Sequence, residues 1–364
     1  MTLFSRLLLL FALMSPSLAA AASLEEMAGQ MIVVGFEGTS ADDASVVALA
    51  QELAEGRLGG VMYLRKNVTS LAEVRAMNAL FREAAEVPPF ITLDQEGGAV
   101  ERLTQAIGFA ELPNAKSIAA GYSPEEAEKI YAGMAGDVAA LGFTVNFGPV
   151  ADVDLNPENQ VIARYGRAFS SDAAVVAEYD AAFIRAHHQA GLLTALKHFP
   201  GHGSSTADSH EGFVDITQSW QESELEPYRE LIGQGLVDMV MVGHLYHAAY
   251  VNGDGETPSS LSARWIDGVL RDELGFSGVV ISDDLEMGAI RDHFTLEETV
   301  TKAVRAGVDV LLFSNTAKYH ADLNAEILGI LVKAAEADPD FAARIAQSYE
   351  RIMALKQRLR APVS

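Results

Sequence analysis

Eight short apolar runs rich in β-branched residues, each followed by a stretch of helical pattern, constrain this chain more than any other feature. They are Met31 to Phe36, Gly60 to Leu64, Phe90 to Leu93, Thr144 to Phe147, Leu192 to Leu196, Met239 to Val242, Val279 to Ile281 and Val308 to Phe313. The intervening helices carry start signals. Ser70 precedes LAEVRAMNALF, Ser123 is followed by Pro124 in the first turn and by Glu126 as a capping-box partner, and Thr295 stands with Glu298 in the same way. Eight strand-helix units is the number that closes a barrel. The competing doubly wound sheet calls for a glycine-rich nucleotide loop after the first strand, where this chain has Gly35, Phe36, Glu37 and Gly38. The expected fold is therefore α/β, a single (β/α)8 barrel of the TIM type.

Met1 to Ala22 holds one basic residue, Arg6, then the apolar run Leu7 to Leu13, then Ser15, Pro16 and the small residues Ala19 to Ala22. That is the pattern of a cleaved secretory signal, so residues 1–22 are assigned to the signal and 23–364 to the barrel with its terminal helix. The run is too short to remain as a membrane-spanning helix. A periplasmic or secreted protein is expected, and with no cysteine in the chain it folds without disulfides. About half of the residues are hydrophobic, enough for one large core. A formal net charge of −24 argues against nucleic acid and anionic membrane surfaces as partners. A monomer acting on a small-molecule or oligosaccharide substrate is expected. From about Asp338 onward an apolar stripe of Phe341, Ile345, Tyr349 and Leu355 reads as a helix packed on the barrel.

In such a barrel the chemistry sits where strands end, because loops converge there while side chains fill the interior. Polar residues collect at those ends: Asp94 after strand three, Asn146 and Asp152 after strand four, Lys197 and His198 at strand five, His244 after strand six and Asp283 after strand seven. Burying so many polar groups is costly unless a ligand meets them.

Between Lys197 and His210 the chain reads KHFPGHGSSTADSH, a run of titratable groups broken by Pro200, Gly201 and Gly203 that points to an active-site loop. Asp208 and His210 are separated only by Ser209. The carboxylate can hold one ring nitrogen while the other faces a substrate, which suits a general acid and base. The plainer alternative is a turn-capping aspartate beside a solvated histidine. A metal held by His198, His202, Asp208 and His210 is disfavoured, since Pro200 and Gly201 forbid the helix that would put His198 and His202 on one face. No metal and no cofactor is expected.

Taken together, LDQEGGAVERL (Leu93 to Leu103), NFGPVADVDLNPEN (Asn146 to Asn159), KHFPGHGSSTADSH and GVVISDDLEM (Gly278 to Met287) resemble family 3 glycoside hydrolases, and more narrowly their β-N-acetylglucosaminidase branch. The resemblance implies that Asp283 is the nucleophile attacking the anomeric carbon and that Asp284 is a structural neighbour. From the residues alone, either aspartate could equally cap the helix that follows. Retaining glycosidases set a nucleophile and a proton donor on opposite sides of the scissile bond, usually two carboxyl groups about 5 Å apart. Much of the family takes its acid from a second domain. This chain has no length for one after strand eight, so the donor implied is His210 oriented by Asp208.

By the same resemblance Asp94, Arg102, Arg167, Lys197 and His198 bind the sugar. For Lys197 the alternative is a salt bridge within the barrel mouth. His202 is expected to brace the loop, and His244 stands open between a core hydrogen bond and a substrate contact. Three departures stand out. Ala99 replaces an arginine common after the two glycines. The segment from Ile162 to Arg167 is longer than in compact bacterial members, which leaves Arg164 as a rival for the role of Arg167. The export signal is unusual beside cytoplasmic recycling enzymes. The activity implied is a retaining β-N-acetylhexosaminidase acting on peptidoglycan fragments or chitooligosaccharides. A phosphorylase, a β-glucosidase of the same family and a non-catalytic sugar-binding barrel are the alternatives.

Overall fold

A computed structural model describes residues 22–209, 212–251 and 257–359. The segment 1–22, expected to be a signal, lies outside them but for its last residue. Eight parallel strands form the expected barrel: β1 (Ile32–Gly35), β2 (Gly60–Met62), β3 (Phe90–Leu93), β4 (Val145–Asn146), β5 (Leu193–Phe199), β6 (Met239–Val242), β7 (Val279–Ser282) and β8 (Leu311–Phe313). Each pairs with the next in chain order, β8 pairs with β1 through Val33 and Leu312, and a parallel bridge between Ile281 and Val310 closes the ring. Nearly every strand residue is buried, because helices cover the outside and side chains fill the inside. This is why the strands read as unbroken apolar runs.

The capping signals work as read. Ser70 accepts from the Glu73 amide at the start of the helix Leu71–Ala84, and full capping boxes open Pro124–Ala140 and Leu296–Ala306. Strand boundaries differ in two informative places. β4 is two residues long, and Pro149 just beyond it offers no amide to extend a ladder. β5 runs on to Phe199, carrying Lys197 and His198 within the strand itself. A two-stranded ribbon of Val214–Asp215 with Leu245–Tyr246 lies outside the barrel and was not expected.

The final helix, Pro339–Lys356, is capped by Asp338 and buries Phe341, Ile345, Ser348, Ile352 and Leu355. Tyr349 is only half-buried, so the inner face runs through Ser348 and Ile352 instead. Lys356 donates to Gln30 Oε1 (2.8 Å) and to the Gly59 carbonyl (2.7 Å), while Arg344 and Arg351 reach Asp309 at 2.9 and 3.1 Å. Those acceptors precede β1, β2 and β8, so this helix seals the amino-terminal end of the barrel. The opposite end is left for chemistry.

Candidate active site

The carboxyl ends of the strands enclose a cleft of about 320 Å³ whose wall includes Asp94, Arg102, Arg167, Lys197, His198 and Asp283. All five residues expected to bind sugar therefore meet the expected nucleophile in one place. They are joined by charge. Lys197, 1% exposed, donates at 2.7 Å to both Asp94 and Glu96. Arg102 binds the other oxygen of Asp94 at 2.8 Å, and Arg167 grips Glu96 with two bonds of 2.8 and 2.9 Å. Burial pushes the Glu96 carboxyl up, but Arg167 and Lys197 outweigh it and hold the group below the usual carboxylate range. Asp94 is likewise lowered, with Lys197 and Arg102 overcoming its burial.

His198 is oriented by a third carboxylate. Its Nδ1 lies 2.7 Å from Asp152 Oδ2 and its Nε2 3.3 Å from Arg167. A guanidinium can only donate, so Nε2 accepts, and the ring proton sits on Nδ1 facing Asp152. Asp94, Glu96 and Asp152 thus balance Lys197, Arg102 and Arg167 in one network, and Asp94 with the three cations lines the cleft. Such a surface offers both donors and acceptors to the hydroxyls of a neutral polyol.

Asp283 ends β7. Its amide donates to the Val242 carbonyl at 2.9 Å, and its Oδ1 accepts from the Asp284 amide at 2.8 Å. Asp284 is tied into the backbone, its Oδ1 accepting from the amides of Ser314 (2.8 Å) and Glu286 (3.1 Å). This matches a structural role. His244 bonds Ser260 Oγ through Nδ1 at 2.7 Å and the Asp284 carbonyl through Nε2 at 2.8 Å, away from the cleft wall. These are core hydrogen bonds, the first of its two open readings.

The loop after β5 is anchored at its root. Asp152 accepts from the His202 amide at 2.7 Å, and Glu224 accepts from the amides of Gly203 (2.9 Å) and Ser204 (3.3 Å) and from Ser204 Oγ. Gly203 allows this because a Cβ there would fall 1.7 Å from the Val153 carbonyl oxygen. Farther along, Ser209 lines the cleft and its carbonyl accepts from the Ala289 amide at 3.2 Å. Its neighbour Asp208 faces an adjoining pocket with Arg164 and Tyr165. His210 lies outside the described residues. Arg164 is exposed, bonds Gln160 and stacks over Tyr165, so Arg167 and not Arg164 joins the cleft. Among the described residues no group of three or more histidines or carboxylates is arranged to hold a metal ion. None of their helices is long and apolar enough to cross a membrane.

Two residues of this network are not singled out for a role by the sequence. Glu96 stands two positions after Asp94 in the loop that follows β3, within the same motif, and that nearness is its signal in the sequence. Asp152 was noticed only as a polar strand-end group. Its partner His198 is 46 residues away, and no spacing rule links them.

The model of the glycosyl hydrolase family 3 N-terminal domain matches residues 23–355. The chain belongs to glycoside hydrolase family 3. Among curated relatives, a β-hexosaminidase of Xylella fastidiosa is 36% identical, covering 78% of this chain and 82% of its own length. β-Hexosaminidase A of Pseudoalteromonas piscicida is 31% identical over 92% of this chain, which spans only 61% of that protein. Among solved structures, the family 3 β-N-acetylglucosaminidase of Paenibacillus sp. str. FPU-7 superposes with a TM-score of 0.84 at 33% identity, covering 94% of this chain and 64% of that one. The β-N-acetylhexosaminidase of Beutenbergia cavernae gives 0.81 at 27% identity, covering 93% of this chain and 99% of that one.

Proposed function

We propose that this chain is a retaining β-N-acetylhexosaminidase that removes terminal β-linked N-acetylglucosamine through a covalent glycosyl-enzyme. The observation that carries the reading is the single cleft that joins Asp283 to the Asp94, Arg102, Lys197, His198 and Arg167 cluster. Hydroxyls remote from the reacting carbon bond to the cluster and fix the ring. The Asp283 carboxylate, oriented through its bond from the Asp284 amide, then attacks the anomeric carbon. His210, paired with Asp208, protonates the departing oxygen, and the resulting neutral imidazole takes a proton from water that releases the sugar. Two inversions leave the configuration unchanged.

Peptidoglycan fragments and chitooligosaccharides both present the required terminal sugar. Export to the periplasm or medium, supported by Arg6 and the apolar run after it, and action as a monomer complete the proposal. Aryl β-glycosides of N-acetylglucosamine, glucose and xylose, assayed with and without phosphate, test it. The acetamido glycoside should be cleaved fastest, with retention, at a rate indifferent to phosphate. A phosphate-dependent rate would make the enzyme a phosphorylase, and a glucose preference would make it a glucosidase.

A further inference from the structure

His202 is 2% exposed, forms part of the cleft wall, and has one ring nitrogen, Nε2, with no hydrogen-bond partner among the described residues. The hydrogen-bond chain behind the ring decides what that nitrogen carries. Asn159 Oδ1 accepts from the amides of Val161 (2.8 Å) and Ile162 (2.7 Å), which fixes its amide so that Nδ2 faces Ser205 Oγ at 3.0 Å. An amide nitrogen only donates, so the serine oxygen accepts there, and the acceptor found among the described residues for its own buried proton is His202 Nδ1, 2.5 Å away. Burial lowers the His202 pKa to about 4, so the ring is neutral at physiological pH. With Nδ1 accepting, the one ring proton resides on Nε2. The cleft wall thus carries a buried N–H donor with no acceptor among the described residues, a costly arrangement unless a ligand supplies one.

The same asparagine says what surrounds that donor. Asn159 Nδ2 also binds the His202 carbonyl at 2.8 Å, while its Oδ1 holds Val161, whose side chain lines the cleft as well. One buried side chain therefore ties a neutral donor to an apolar surface. An acetamido group presents the complement, a carbonyl oxygen to accept and a methyl to cover. The 2-hydroxyl of glucose offers no methyl and finds less to gain.

We infer that His202 is a specificity-determining residue that donates through Nε2 to the carbonyl oxygen of the sugar's 2-acetamido group, with Val161 against the methyl. The inference rests on the hexosaminidase reading and refines it. His202 holds the root of the loop through Ser205 and meets the substrate with its other edge, so the loop and the acetamido group share one ring.

The test is the ratio of kcat/KM for 4-nitrophenyl N-acetyl-β-glucosaminide over 4-nitrophenyl β-glucoside. His202→Phe should lower that ratio by about ten- to a hundredfold, the effect of removing one buried hydrogen bond. His202→Gln, which keeps an N–H donor near the same position, should recover most of it. With the unmodified enzyme, replacing the acetamido group by thioacetamido, whose sulfur is a poor acceptor, should cost a comparable factor and guards against a variant that does not fold. An unchanged ratio in a folded His202→Phe, or full activity on the thioacetamido substrate, overturns the role of His202 and leaves the hexosaminidase reading standing. An unmodified enzyme with no preference for the acetamido sugar overturns both.

Discussion

Lys197 Nζ lies 2.7 Å from Asp94 Oδ1, an ion pair between residues 103 positions apart and almost wholly withdrawn from solvent. The lysine also holds Glu96, so it is the one cation common to both carboxylates. A buried pair is worth little against a well-packed apolar replacement, yet removing one partner leaves the other's charge stranded. Asp94 and Glu96 keep Arg102 and Arg167, so Lys197→Met strands their charge only in part and should destabilise the protein by about 1–3 kcal/mol. Denaturant unfolding followed by circular dichroism measures this, and a variant as stable as the parent would show that Arg102 and Arg167 suffice alone.

Asp180 makes a second, independent prediction. It sits fully buried on the helix Ala173–Gln189, and neither carboxyl oxygen has a hydrogen-bond partner among the described residues. Burial, helped by nearby Asp152, pushes its pKa well above the ordinary value. The sign follows from proton linkage. Above the unfolded pKa of about 3.9 the folded state binds the proton that the unfolded state releases, so stability is full below that pH and declines as pH rises. Asp180→Asn should match the parent near pH 4 and melt at a higher temperature near pH 8. A gain of equal size at both pH values would contradict the assignment.

Much of the barrel could be read before any coordinates. β-Branched runs buried on both faces leave an unambiguous trace, and serine, threonine and proline at helix starts act locally. What could not be read was set by contacts across the fold. β4 ends short of Pro149, which has no amide to give a ladder, and the ribbon of Val214 and Leu245 has strands too short to show alternation. The site residues named from motifs do converge, but their organisation depends on Glu96 and Asp152, which look like ordinary strand-end acids. Glu224, which holds the loop root from 20 residues away, leaves no local mark at all.

The proposed acid can be probed by substrate chemistry. A dinitrophenyl leaving group departs without protonation, whereas an alkyl or sugar leaving group requires it. His210→Ala should slow cleavage of chitobiose by about a hundredfold or more and of the dinitrophenyl glycoside by less than about tenfold. Equal losses on both substrates would remove His210 from proton transfer.

The root of the loop offers a further check. Glu224 is buried, and its pKa is raised to about 7 by that burial despite the bonds from Ser204. Glu224→Ala removes both accepting oxygens from the Gly203 and Ser204 amides and from Ser204 Oγ, so the loop should be more easily cleaved by protease. Unchanged protection of the segment 203–209 would show that Asn156 and Asn159 hold the root without it.

The account turns on Asp283 forming a covalent bond to the sugar. Incubation with a 5-fluoro N-acetylglucosaminyl fluoride, followed by peptide mass spectrometry, should find one glycosyl adduct on the peptide containing Asp283 and none in Asp283→Ala. An adduct on another carboxylate, or turnover by Asp283→Ala near the parent rate, would contradict it.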